Sequence, residues 1–146
     1  MPDPIIGFPP ALLLIGGAIL IPWFKGGLKS CFMLILPILA FFILLSSPNG
    51  IYWSFQVLDN ELILNRIDSL SRVFGYIFCI VSLLGVIYAL REEDDLQYCA
   101  AFAYAGGALG VTLAGDVFSL YIFWEIMAVA STFLILARRT KASQAA

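Results

Sequence analysis

Glu125 lies inside an otherwise apolar run, residues 117–137. As a helix rising about 1.5 Å per residue, that run crosses the roughly 30 Å hydrocarbon core of a bilayer, and the carboxyl falls about 12 Å from its start. An acidic group at that depth costs about 3 kcal/mol or more unless it is protonated or paired, so it marks a functional site until shown otherwise. Such an acid can take a proton from one side and release it to the other as a neighbouring cation comes and goes. The blander alternative is a protonated glutamate that bridges two helices and moves nothing. Helical spacing places Phe118, Tyr121, Ile122, Ala128, Val129 and Thr132 on the same face. Of these, Tyr121 and Thr132 carry hydroxyls that can support the carboxyl directly or through water.

Two further sites carry charge near apolar runs. Asp68 and Arg72 stand four residues apart with the acid first, the favourable order for a helical ion pair. They read as an interfacial pair that sets helix depth, with a part in an ion route as the alternative. Asp116 precedes the 117–137 run, where a carboxylate suits a helix N-terminus. The acidic stretch 92–95 lacks the spacing and glycine of a calcium loop and reads as a solvated turn. Cys31, Cys79 and Cys99 sit alone in apolar segments and read as small buried hydrophobes. The chain has no histidine. That excludes His-ligated haem and removes the usual proton shuttle near neutral pH. No cofactor and no catalytic centre are expected within this chain.

The elements that must position Glu125 follow from composition. Hydrophobic residues make up 62% of the 146 and charged residues 12%, with a mean hydropathy of +0.97. Soluble domains are far more charged, so the fold class is all-α, an integral membrane helical bundle of about five transmembrane helices. The spans fall at residues 5–24, 29–46, 67–90, 96–114 and 117–137. Pro37 is an expected kink in the second. The polar segment 47–66 reads as a hairpin turning at Asp59-Asn60, with Tyr52 and Trp53 in the aromatic belt. The short turn at Gly115-Asp116 makes the last two helices antiparallel neighbours. Small residues recur on the fourth helix (Ala103, Gly106, Gly107, Gly110, Ala114) and on the first (Gly16, Gly17), a signal of close helix contact.

Lys25, Lys29, Arg91, Arg138, Arg139 and Lys141 share one side of this topology, and Arg66 and Arg72 lie toward the other. The N-terminus is therefore expected outside and the C-terminus in the cytoplasm. The first ten residues lack the basic start of a secretory signal, so the first apolar run reads as a retained span. A net charge of -2 without a basic stripe gives no nucleic-acid partner.

Two motifs carry a family resemblance. Gly115-Asp-Val-Phe-Ser-Leu-Tyr-Ile-Phe-Trp-Glu-Ile-Met127 resembles the fifth transmembrane helix of the antiporter-like proton pumps. These are the large membrane subunits of respiratory complex I, of energy-converting hydrogenases and of Mrp-type multisubunit cation/proton antiporters. Arg66-Ile-Asp-Ser-Leu-Ser-Arg-Val-Phe74 resembles the family's entry into its third helix. The likeness covers essentially all of the chain and about the first third of a family member, and it is nearest to the D subunit of the Mrp-type antiporters.

The resemblance implies proton or monovalent cation translocation, with H+ and Na+ as the ions, by one member of a multisubunit complex in a bacterial or archaeal plasma membrane. It matches Glu125 to the family's fifth-helix glutamate, which pairs with a lysine on a later helix. That later helix is absent from this sequence, so the chain is expected either to be a fragment or to dock against a polypeptide that supplies the missing portion; its end just past the fifth span favours the fragment. Membership of a proton-translocating NADH:quinone oxidoreductase or membrane hydrogenase is the alternative function, and a structural membrane scaffold is the second.

Overall fold

A computed structural model describes residues 6–91 and 94–137 of the chain. The chain begins with α1 (Pro10–Leu20), which continues as a 3-10 turn at Ile21–Trp23. Pro10 opens the helix where a missing N–H costs nothing, and Pro22 lies where α tightens to 3-10. This first span is therefore 11 residues of α-helix plus a short turn, less than the 5–24 stretch expected. Next come α2 (Gly27–Ser46), β1 (Gly50–Val57), β2 (Asn60–Ile67), α3 (Ser69–Ala89), α4 (Asp95–Leu113) and α5 (Val117–Ala137). Gly26 holds a φ of 64° before α2, a conformation that glycine adopts without strain. The helix then runs unbroken past Pro37. Among the described residues, α2 to α5 are each long and apolar enough to cross a membrane.

The two strands pair antiparallel, closing on Val57 and Asn60. The two loop residues are Leu58 and Asp59, with φ of 48° and 65°. The turn thus falls one residue earlier than expected. It is a primed hairpin turn, whose positive φ values match the twist of the strands, although leucine is a poor residue for it.

The four helix-to-helix turns alternate ends, so Gly7, the hairpin and the starts of α3 and α5 share one end of the bundle. The starts of α2 and α4 share the other. Helix α4 is central and packs against α1, α3 and α5, while α2 fills the space between α1 and α3. The small residues of α4 decide this arrangement. A Cβ on Gly106 would meet Ile15 of α1 at 2.7 Å, and one on Gly107 or Gly110 would meet Met127 or Phe123 of α5 at 3.1 and 2.3 Å. Gly17 likewise leaves room for Leu36, whereas Gly16 faces open space and does not share the packing role expected of it.

Leu14, Leu36, Ala40, Leu44, Leu109, Leu113 and Phe123 form the buried centre. The perimeter is almost as apolar as the core: Ile35, Phe42, Leu45, Ile77, Ile80, Val81, Leu84 and Val129 all face outward. In water such a belt would drive association; against lipid tails it needs no cover, and the helices satisfy their own backbone groups. The protein is an all-α membrane helical bundle with a β-hairpin at one end.

Candidate functional site

Helix α5 is an edge helix whose main neighbour is α4. Its inward residues are Ser119, Phe123, Ala130 and Ala137, and the Phe123 ring fills the notch left by Gly110. That seat turns the opposite face outward. Phe118, Tyr121, Ile122, Trp124 and Val129 are all exposed there, and Glu125 is exposed among them. The carboxyl is therefore not enclosed by its own chain but stands on the outer surface of the bundle, about 12 Å below the start of α5.

Beside it lies an open groove of about 560 Å³. Ile15, Ala18 and Ile19 of α1, Cys99 and Ala103 of α4, and Ile126, Val129 and Phe133 of α5 line it together with Glu125. Its walls are otherwise apolar, so the glutamate is the one acidic group at its rim among the described residues.

The two supporting hydroxyls differ. Tyr121, one turn before Glu125, comes close enough to interact with its carboxyl. Thr132 lies two turns beyond and donates instead to the Ala128 carbonyl of its own helix at 3.0 Å. Seven residues along a helix is about 10 Å, too far for a direct bond.

Asp68 and Arg72 do not form the ion pair expected of them. Asp68 is the N-cap of α3 in a capping box: its Oδ1 accepts from the Ser71 N–H at 2.8 Å, and its own N–H donates to Ser71 Oγ at 2.9 Å. The Ser71 N–H foremost holds its carboxyl below the usual value; desolvation opposes this, and the Ser71 hydroxyl and the charge of Arg66 add to the lowering. Arg72 turns the other way and donates to the Ser47 carbonyl at 2.6 Å and to Asn49 Oδ1 at 2.8 Å. Both residues lie at the hairpin end, far from the groove.

Asp116 does cap α5, as expected. Its Oδ2 accepts from the N–H groups of Phe118 (2.9 Å) and Ser119 (3.1 Å), while Oδ1 accepts from Ser119 Oγ (2.6 Å) and from the Ile63 N–H of β2 (2.7 Å). Burial pushes the carboxyl up, but these donors outweigh it and leave Asp116 below the usual value.

Sequence reasoning missed two clusters. At the hairpin end, the wholly buried Asn65 donates to the Gly7 carbonyl at 3.0 Å, and the Gly7 N–H donates to the buried Ser47 Oγ at 2.9 Å. Asn65 shares the period-2 face of Ile63 and Ile67 along β2, and that period could have placed it on the inward face. At the other end, Lys29 pairs with Asp95 and lies over the Tyr98 ring, 5.1 Å from its centre. This links the starts of α2 and α4 across 66 positions, and nothing local in the sequence signals it. Of the acidic stretch, Glu92 and Glu93 lie outside the described residues, Asp94 caps α4 through the Leu96 N–H, and Asp95 is the paired one. Among the cysteines, Cys79 is buried, Cys99 is half-buried in the groove and Cys31 is exposed, so the reading as buried hydrophobes holds fully only for Cys79.

No family model matches the chain. Among individual proteins, it is 33% identical over 75 residues to the probable A/B subunit of a K+/H+ antiporter of Rhizobium meliloti, a match covering 48% of this chain and 8% of that protein. It is 29% identical over 75 residues to the A subunit of a Na+/H+ antiporter of Alkalihalophilus pseudofirmus, covering 47% of this chain and 9% of the relative. The A1 subunit of a Na+/H+ antiporter of Staphylococcus aureus is 32% identical over 74 residues, again covering 47% and 9%. The similarity thus spans about half of the chain, less than the whole-length likeness expected, and less than a tenth of each of these relatives. The relatives support the antiporter-like resemblance for a multi-pass membrane protein, and they are A-type or A/B-type subunits by name, not the D type expected from the motifs.

Proposed function

We propose that this chain is part of a membrane subunit that translocates protons and monovalent cations, in an antiporter of the Mrp type, with Glu125 as its protonatable carboxyl. The observation that carries the reading is the position of Glu125: mid-depth on a membrane helix, on the outward face of that helix, beside an apolar groove. An acid left there without a cation is costly in lipid. A positive group from another stretch of polypeptide, arriving at and leaving this face, would switch the carboxyl between charged and neutral forms. Among the described residues, the lysines and arginines (Lys25, Lys29, Arg66, Arg72, Arg91) all stand toward the ends of the bundle, and none lines the groove beside Glu125.

The finer assignment follows the relatives' names toward an A-type or A/B-type subunit rather than a D-type one, with Na+ or K+ exchanged for H+. Tyr121 is the supporting residue in this reading; Thr132, Asp68 and Arg72, engaged with other partners, are left out of it. The proposed orientation puts the hairpin end outside, and the membrane is the cell membrane. The chain acts with other membrane subunits of one complex.

Glu125→Gln, made in the assembled complex, is the direct test. Cation-driven proton transport is expected to fall at least tenfold while assembly is retained. Transport at the parental level would instead leave the scaffold reading standing.

A further inference from the structure

Asp116 does more than end a helix. A capping aspartate needs only one oxygen for the free N–H groups of the first turn. Here Oδ2 takes both, from Phe118 and Ser119, and Oδ1, which also accepts from the Ser119 hydroxyl, reaches the Ile63 N–H of β2. The contact is reciprocated, since the Gly115 N–H donates to the Ile63 carbonyl at 3.0 Å. The turn before α5 therefore closes both hydrogen-bonding groups of Ile63, as a neighbouring strand would. Gly115 is required for this approach: a Cβ there would lie 2.4 Å from Ile63 Cγ2 and 3.2 Å from Arg66 Cβ.

Helix α5 is otherwise held by α4 along its inner face. It is an edge helix, seated on α4 mainly through Phe123 in the Gly110 notch. That contact also includes Met127 against Gly107, so the middle of α5 is held on α4. Asp116 adds a fixed point seven residues before Phe123, about 10 Å along the axis, at the very start of the helix. The two points together determine where the outward face carrying Glu125 looks.

We propose that Asp116 is a positioning residue for Glu125, tying β2 to the first turn of α5 and so setting the rotation and depth at which α5 presents that carboxyl. The inference rests on the reading of Glu125 given above. Asparagine cannot replace the group cleanly, because its NH2 would face an N–H on one side or the other. Serine separates the two roles: its single hydroxyl still caps the helix but is too short to reach Ile63.

The experiment compares the parent with Asp116→Ser and Asp116→Ala in the full chain in its membrane. It reads amide hydrogen exchange together with the infrared carboxyl band of Glu125, identified by its loss in Glu125→Gln. In Asp116→Ser the Ile63 amide is expected to exchange roughly tenfold faster while the Phe118 and Ser119 amides stay protected, and the Glu125 band shifts. Asp116→Ala exposes all three amides and shifts the band as well. Unchanged exchange at Ile63 would show that the bridge does not exist in the membrane. Faster exchange with an unmoved band would show that the bridge stops short of Glu125, and either result overturns the proposal. Failure of the transport reading shows separately, as parental transport in Glu125→Gln, and leaves both spectroscopic readouts in force.

Discussion

At the scale of single residues, the question is which groups near Glu125 act on it. Tyr121 and Thr132 share its helical face, but only Tyr121 is close enough to interact. Tyr121→Phe removes a hydroxyl worth about 1 kcal/mol to the carboxyl, so transport by the complex is expected to change about fivefold, with its pH optimum displaced. Thr132→Val only frees the Ala128 carbonyl from a third-party bond and should leave transport within about twofold. Equal effects of the two variants, measured as proton flux against pH, would contradict this ranking. The glutamate itself was legible because a charge interrupts an apolar run. The ranking of its neighbours was not, because helical spacing reports a shared face and is silent on separation along the axis. Asp68 and Arg72 show the same limit: their spacing permits a pair, but the Ser71 N–H and the Ser47 carbonyl are better placed partners.

At the scale of elements, small residues decide how the helices meet. Gly110 and Gly16 make a matched pair for testing this. A methyl on Gly110 would lie 2.3 Å from the Phe123 ring, whereas one on Gly16 meets nothing within 4 Å. Gly110→Ala is expected to destabilise the bundle by about 1–3 kcal/mol through overpacking, and Gly16→Ala to be neutral or stabilising by up to about 1 kcal/mol. Unfolding in mixed detergent micelles measures both, and similar midpoints for the two would overturn the assignment of α4–α5 contact. The α4 stripe could be read in advance because only close backbone approach explains glycines at such spacing in lipid. The hairpin turn was misplaced by one residue because Asp59-Asn60 has the better turn chemistry, while the pairing of Val57 with Asn60 obliges Leu58 to take positive φ. The first helix was read as too long because apolar character continues past the proline-bounded helix, and hydropathy does not see where α-helix gives way to 3-10.

At the scale of the whole molecule, the two ends of the bundle are held differently. The end where α2 and α4 begin is joined by the Lys29–Asp95 pair. The hairpin end is joined by hydrogen bonds that converge on two carboxylates, Asp68 at the start of α3 and Asp116 at the start of α5, and on the buried pair Asn65 and Ser47. This difference has a direction in pH. Both carboxylates have pKa values below the usual one in the folded chain. A group lowered on folding adds stability that is complete above its unfolded value, about 3.9 for aspartate, and is lost as pH falls through the folded value. The hairpin end is therefore expected to be fully held at neutral pH and to loosen below about pH 4, before the apolar middle gives way. Hydrogen exchange followed from pH 7 downward, corrected for the intrinsic pH dependence of exchange, should show protection lost first at the Ile63, Ser71 and Ser119 amides. Asp68→Asn and Asp116→Asn lack the titrating group, so each should begin less protected and lose less with acid. Protection at these amides that stays level through pH 3, or that falls together with the α4 amides, would mean that the two carboxylates do not govern this end of the molecule.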